Sequence, residues 1–132
     1  MNLQSWTYWD TATGNKFWNP DGSIIKDIVA VFTRPYPMTT KGVPVKLSFD
    51  IVAKSFRYEF EISPKNGFTE IYIPPLIYPN RQFELELSNS LSWEFSDNNA
   101  NVIVIRKSSD RRKEVANPVF VSIKPYVKVH LL

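Results

Sequence analysis

The sequence predicts an all-β chain, an antiparallel β-sandwich of about eight short strands with a Greek-key connection. Three observations predict it. From Val43 onward apolar and polar residues alternate with a period of two, which puts one face of a strand on a core and the other in water. Turn-forming residues interrupt that alternation at close intervals, as in sandwiches and barrels. The composition agrees: aromatics make up 14% of the 132 residues, with 10 Pro against only 4 Gly, a β-rich and turn-punctuated balance. This length supports one domain with its own core. A complete (β/α)₈ barrel needs about 250 residues.

The elements follow in order. Leu3 to Trp9 reads as an extended run, and Thr11 to Asn15 as a turn containing Gly14. Phe17 and Trp18 precede a Pro20-Asp21-Gly22 turn. Ile24, Ile25, Ile28, Val29 and Phe32 recur at helical spacing, so a short helical turn is expected that ends before Pro35. Strands then follow on Val45/Leu47/Phe49, on Phe56/Tyr58/Phe60/Ile62, on Ile71/Ile73 up to Pro74-Pro75, and on Phe83/Leu85/Leu87. Leu91/Trp93/Phe95 comes after a short Asn89-Ser90 turn, which predicts a hairpin with the preceding strand. Val102 to Ile105 is continuously apolar, as expected for a buried strand. Val119/Val121/Ile123 gives another strand, and Val127 to Leu131 a final edge.

Charge and chemistry narrow the function classes. The net charge is +3, and its main local source is Arg106, Lys107, Arg111, Arg112 and Lys113 around a Ser108-Ser109-Asp110 turn. A basic cluster attracts phosphates or anionic headgroups, but turn chemistry favours a solvated hairpin tip. Nothing points to nucleic acid. There is no cysteine, hence no disulfide framework and no thiolate metal site. No metal and no other cofactor is expected, because no ligand cluster, phosphate loop or nucleophile elbow is present. No apolar run reaches the roughly 18 residues of a spanning helix, and any targeting signal is expected upstream.

The first ten residues, MNLQSWTYWD, place the densest aromatic cluster at a terminus, where a self-contained domain seldom puts it. Their Ser5-Trp6-x-x-Trp9 pattern resembles the eighth barrel strand of glycoside hydrolase family 5 enzymes. Further landmarks are Arg34-Pro35-Tyr36-Pro37 with Gly42 close behind, Thr69-Glu70-Ile71-Tyr72-Ile73-Pro74, Tyr78-Pro79, and the run from Val121 to Pro125. Together they resemble the C-terminal β-sandwich of the endoglycoceramidases of that family. Asn80-Arg81 departs from the glycine-containing turn often found there.

The resemblance implies that residues 1–22 are the remnant of the final strand of a missing TIM barrel and the turn after it, and residues 23–132 a C-terminal sandwich domain. It implies a parent that is a retaining glycosidase of glycosphingolipids, extracellular or endomembrane/lysosomal if it behaves like its family. The two catalytic glutamates would lie upstream, so this chain alone is expected to be inactive, with the catalytic barrel and a glycolipid substrate as partners. Trp6 is the residue carried over: an aromatic there floors the sugar at the cleavage point, and an indole face suits a pyranose. An unpaired strand at 3–9 should fold back or promote oligomers, and deleting residues 1 to 10 should improve solubility.

Sharper readings compete with plainer ones. Glu59 and Glu61 share a strand face about 6.6–6.8 Å apart, which overlaps the carboxylate spacing of inverting glycosidases. Glu84 and Glu86 repeat the pattern, so a solvated sheet face is the better reading. His130 is the single histidine and is peripheral. Trp93 alternates with Leu91 and Phe95 and is expected in the core, and Trp18 on the barrel or the sandwich. Tyr36, Phe68 and Tyr78 are candidate exposed contacts with a glycolipid, membrane or micelle surface, aided by Lys41 and Lys65. The alternatives are a stand-alone carbohydrate- or glycolipid-binding module, favoured if the aromatics are exposed, and a purely structural interaction domain, favoured if they are buried.

Overall fold

A computed structural model describes residues 17–127. The expected strand at 3–9, with Trp6, Tyr8 and Trp9, lies outside the described residues, as do His130 and nearly all of the final edge expected at 127–131. Among the described residues the order is α1 (Lys26–Phe32), β1 (Tyr36–Thr39), β2 (Gly42–Asp50), β3 (Ser55–Ile62), β4 (Thr69–Tyr72), β5 (Phe83–Leu87), β6 (Leu91–Phe95), β7 (Val102–Lys107) and β8 (Val119–Pro125). The expected helical turn is α1. Thr33 closes it with an extended backbone, its Oγ1 donating to the Val29 carbonyl at 2.7 Å, and Pro35 forbids its continuation.

Two four-stranded antiparallel sheets form the sandwich, in the orders β1-β4-β7-β6 and β2-β3-β8-β5. The inner faces follow the sequence alternation. Phe56, Tyr58 and Phe60 of β3 and Val119, Val121 and Ile123 of β8 face Ile71 of β4 and Ile103 and Ile105 of β7, all buried. Each such side chain contributes about 1.5–3 kcal/mol by leaving water. β7, expected to be a buried strand, is buried on both faces, since Val102 and Val104 are also buried.

The pairing corrects two expectations. β5 and β6 do not form a hairpin: β5 pairs with β8 and β6 with β7, in different sheets. The connection between them arches from one sheet to the other. Ser88 Oγ accepts from the Phe120 amide at 2.8 Å, the Ser88 amide donates to the Phe120 carbonyl at 3.1 Å, and Ser90 is buried. The turn chemistry was real, but it marks a change of sheet. The basic segment after Lys107 likewise bridges β7 and β8 across the two sheets and is not a hairpin tip.

The departure at Asn80-Arg81 also has a physical outcome. Both residues take left-handed backbone, φ 58° and 55°, the conformation that a glycine supplies more cheaply. The Arg81 guanidinium lies over the Phe95 ring, 4.5 Å from its centroid, which offsets part of that cost.

Candidate functional site

Strand alternation along β4 divides its residues cleanly. Thr69, Ile71 and Ile73 point into the core and are buried, while Phe68, Glu70 and Tyr72 share the outer face. Tyr36 stands opposite Tyr72 in the β1–β4 register, their rings 5.4 Å apart. The outer face of the first sheet therefore carries an aromatic at each end: the Tyr36/Tyr72 pair at one and Phe68 at the other. Tyr36 is 48% exposed and Phe68 43%.

At the Phe68 end, Phe68, Glu70, Glu94, Val104 and Arg106 line a groove of about 250 Å³. Arg106 organises it. Its guanidinium sits 4.9 Å from the Phe68 ring centroid and pairs with Glu94 at 3.6 Å. Ser96, Asp97 and Asn98 also line it, so the groove is mainly polar with Phe68 as an aromatic wall.

Arg106 also lines a second concavity, of about 200 Å³, with Lys41, Ile62, Lys65, Asn66, Gly67 and Lys107. It closes one end of the seam between the sheets, because Ile62 ends β3 in one sheet and Lys107 ends β7 in the other. Lys41 is anchored by its backbone: its amide donates to Thr69 Oγ1 at 3.0 Å and its carbonyl accepts from the Ser63 amide at 3.0 Å. Its aliphatic stem lies across Gly67, where a Cβ would come within 2.6 Å of Lys41 Cδ and Cε. Among the described residues no carboxylate pairs with Lys41, Lys65 or Lys107.

The other candidates fall as follows. Tyr78 is not a surface contact. It is 1% exposed, packs edge-on against Phe83, and donates its hydroxyl to the Lys54 carbonyl at 2.6 Å. Burial pushes its pKa up to about 12. Burial also raises Tyr58, although a hydrogen bond with Thr40 opposes the shift. Trp93 is only partly sheltered at 39% exposure: it lies on the terminal strand of its sheet and covers Phe83 and Phe95 at the rim. Trp18 is exposed, bridged to Ile24 and tilted against Phe17.

Glu59, Glu61, Glu84 and Glu86 lie on the outer face of the second sheet, with Glu59 paired to Arg57 at 3.4 Å and Glu84 to Lys124 at 3.3 Å. That is the solvated, charge-alternating face expected of them. Sequence reasoning missed Tyr72 and the separation of the basic cluster. Arg106 and Lys107 belong to β7, whereas Arg111, Arg112 and Lys113 are exposed beyond it. The apolar run of β7 could have shown this, since a strand that begins at Val102 carries its register through Lys107.

The sequence matches the model of the glycoside hydrolase family 5 C-terminal domain over residues 34–117. No curated protein matches the chain. Its fold is similar to part of sterylglucosidase 1 from Cryptococcus neoformans. Two crystal structures of that protein, one with tris and one with a ligand called hit 1, align with TM-scores of 0.60 and 0.57 at 21% and 22% identity. Each alignment covers 74% of this chain and 14% of the sterylglucosidase, so the chain spans about one-seventh of that protein's length.

Proposed function

Because the chain belongs to the glycoside hydrolase family 5 C-terminal domain family, we propose that it is the accessory domain of a glycosidase that cleaves glycosphingolipids at the sugar–ceramide linkage. In this reading the chemistry is a retaining double displacement by two glutamates of a catalytic barrel, neither of which belongs to this chain. Residues 1–22 go with the barrel, Trp6 lies under the sugar, and residues 23–132 brace the barrel. Tyr36 and Phe68 meet the lipid surface that presents the substrate, and Arg106 beside Phe68 meets its headgroups.

The family match over residues 34–117 supports the accessory-domain part of this reading. The ceramide linkage rests on the resemblance of Arg34-Pro35-Tyr36-Pro37, the segment from Thr69 to Pro74, and Tyr78-Pro79 to the endoglycoceramidase sandwich. A second reading replaces ceramide with a sterol, favoured by the fold likeness to a sterylglucosidase. Exposure of Tyr36 and Phe68 also leaves a glycolipid-binding module as a third reading.

The test is hydrolysis of a fluorescent glucosylceramide and of a steryl glucoside, by this chain alone and by the chain joined to its upstream sequence. Turnover is expected only in the extended form, and the preferred lipid separates the first two readings. Turnover by the short chain would overturn its role as an accessory domain. An extended form that cleaves soluble glycosides but neither lipid would overturn the glycolipid reading.

A further inference from the structure

We propose that the basic concavity at the end of the sheet seam is an oxyanion-binding site that takes a phosphate group. Here Ile62 forms its floor and four cations, Lys41, Lys65, Arg106 and Lys107, surround it with no acidic residue in the lining. Cations in a shallow, partly desolvated cleft focus a positive field that draws anions.

Three features make the site more than a solvated patch. Lys41 and Lys107 are half-buried yet lack a carboxylate partner among the described residues. Their stems are partly covered, and no carboxylate of the described residues neutralises their charge, so both ammonium groups can pair with an incoming oxyanion. Secondly, the ammonium-bearing chain of Lys41 is aimed by the backbone anchors at Thr69 and Ser63 and by the bare Gly67 beneath its stem. Gly67 has φ +155°, strained for any other residue, and a Cβ there would push the Lys41 stem aside. Thirdly, the Asn66 and Gly67 amides donate to no group among the described residues, so consecutive N–H groups remain available to an anion. Arg106 is already oriented by Glu94 and Phe68, and its fork is suited to phosphate oxygens.

This site does not rest on the proposed glycosidase activity, and either can fail without the other. The phosphate can come from a lipid headgroup or from a soluble phosphate ester. The experiment titrates the full chain with inorganic phosphate at constant ionic strength while following amide resonances. Saturable shifts centred on Asn66, Gly67 and Lys107 are expected. The double variant Lys41→Gln/Lys107→Gln should weaken binding by about tenfold or more. Lys65→Gln, on an exposed loop, gives a second and milder test that spares the core.

The control is Arg111→Gln/Lys113→Gln, which likewise removes two positive charges, from the exposed loop. Unchanged affinity in the control supports a built site. Equal weakening in both sets, or shifts that never saturate, would overturn it as general charge attraction. Sedimentation with phosphatidylcholine vesicles containing phosphatidic acid then identifies the source. Binding that free phosphate displaces assigns a headgroup, whereas phosphate saturation without vesicle binding assigns a soluble ester, and both keep the site.

Discussion

Gly42 opens β2 with φ +147°, and a Cβ built there would collide with the Glu61 carbonyl across the β2–β3 pair. Gly42→Ala should therefore cost about 2–3 kcal/mol, read as a lowered denaturation midpoint with an unchanged slope. Lys54 presents the opposite case. Its φ of 53° is strained for a side-chain-bearing residue, but its side chain is exposed, so Lys54→Gly should stabilise the fold by about 0.5–1 kcal/mol. The carbonyl of this residue accepts the Tyr78 hydroxyl, and that tyrosine sets an alkaline limit. Its folded pKa is pushed to about 12, above the usual value near 10. A raised pKa contributes stability that is fully present below pH ~10 and is lost as pH rises toward ~12. The loss should amount to about 2–3 kcal/mol in that window. Tyr78→Phe should flatten the decline while costing about 1 kcal/mol near neutrality through the lost hydrogen bond. Denaturant titrations of both proteins from pH 8 to about 12 check the sign and the window. None of this was legible at Tyr78 itself. Flanked by prolines and turn residues, it reads as surface, and only the packing of Phe83 and the reach of Lys54 from another loop bury it.

At the level of elements, alternation carried most of the information. Phe56 to Ile62 reads as a strand because every second residue is apolar, and all four of those residues are buried. Partnering was less legible, because a turn between two alternating runs has the same chemistry whether the chain doubles back or crosses to the other sheet. Asn89-Ser90 is such a turn, and the Ser88 contacts to Phe120 that decide the matter lie 32 residues away in sequence. Outer-face clustering was half legible. The positions 68, 70 and 72 follow from period two, but the meeting of Tyr36 with Tyr72 depends on a register that only the β1–β4 pairing sets. The family match stops at residue 117, just before β8 begins. β8 is nonetheless central, paired with β3 on one side and β5 on the other, and it buries Val119, Val121 and Ile123 completely. A chain ended after Asn117 should therefore fail to fold. Loss of dispersed amide resonances and of a cooperative thermal transition is the expected result, and a cooperative transition in the truncated chain would show that the first sheet stands alone.

At the scale of the whole molecule, the two aromatic ends of the outer sheet face and the single Arg106 between groove and seam suggest a surface that meets an interface broadside. The four steps from Phe68 to Tyr72 span only about 13 Å of strand, so in the proposed arrangement Phe68 and the Tyr36/Tyr72 pair would touch one flat lipid surface together. An interfacial role predicts an effect that depends on how the substrate is presented. In the extended protein, Phe68→Ala and Tyr36→Ala should each lower kcat/KM on a vesicle-borne glycolipid by about three- to tenfold, equivalent to about 0.7–1.4 kcal/mol of lost surface contact. The same variants should leave hydrolysis of a soluble aryl glycoside unchanged, since neither residue approaches the reacting bond in the proposed arrangement. Both residues are already more than two-fifths exposed, so their truncation opens no large core cavity and should leave the unfolding midpoint nearly unmoved. Equal losses on both substrates would instead assign the aromatics to bracing the barrel. The comparison of the two rates on one preparation thus separates a domain that approaches lipid from one that only supports its neighbour.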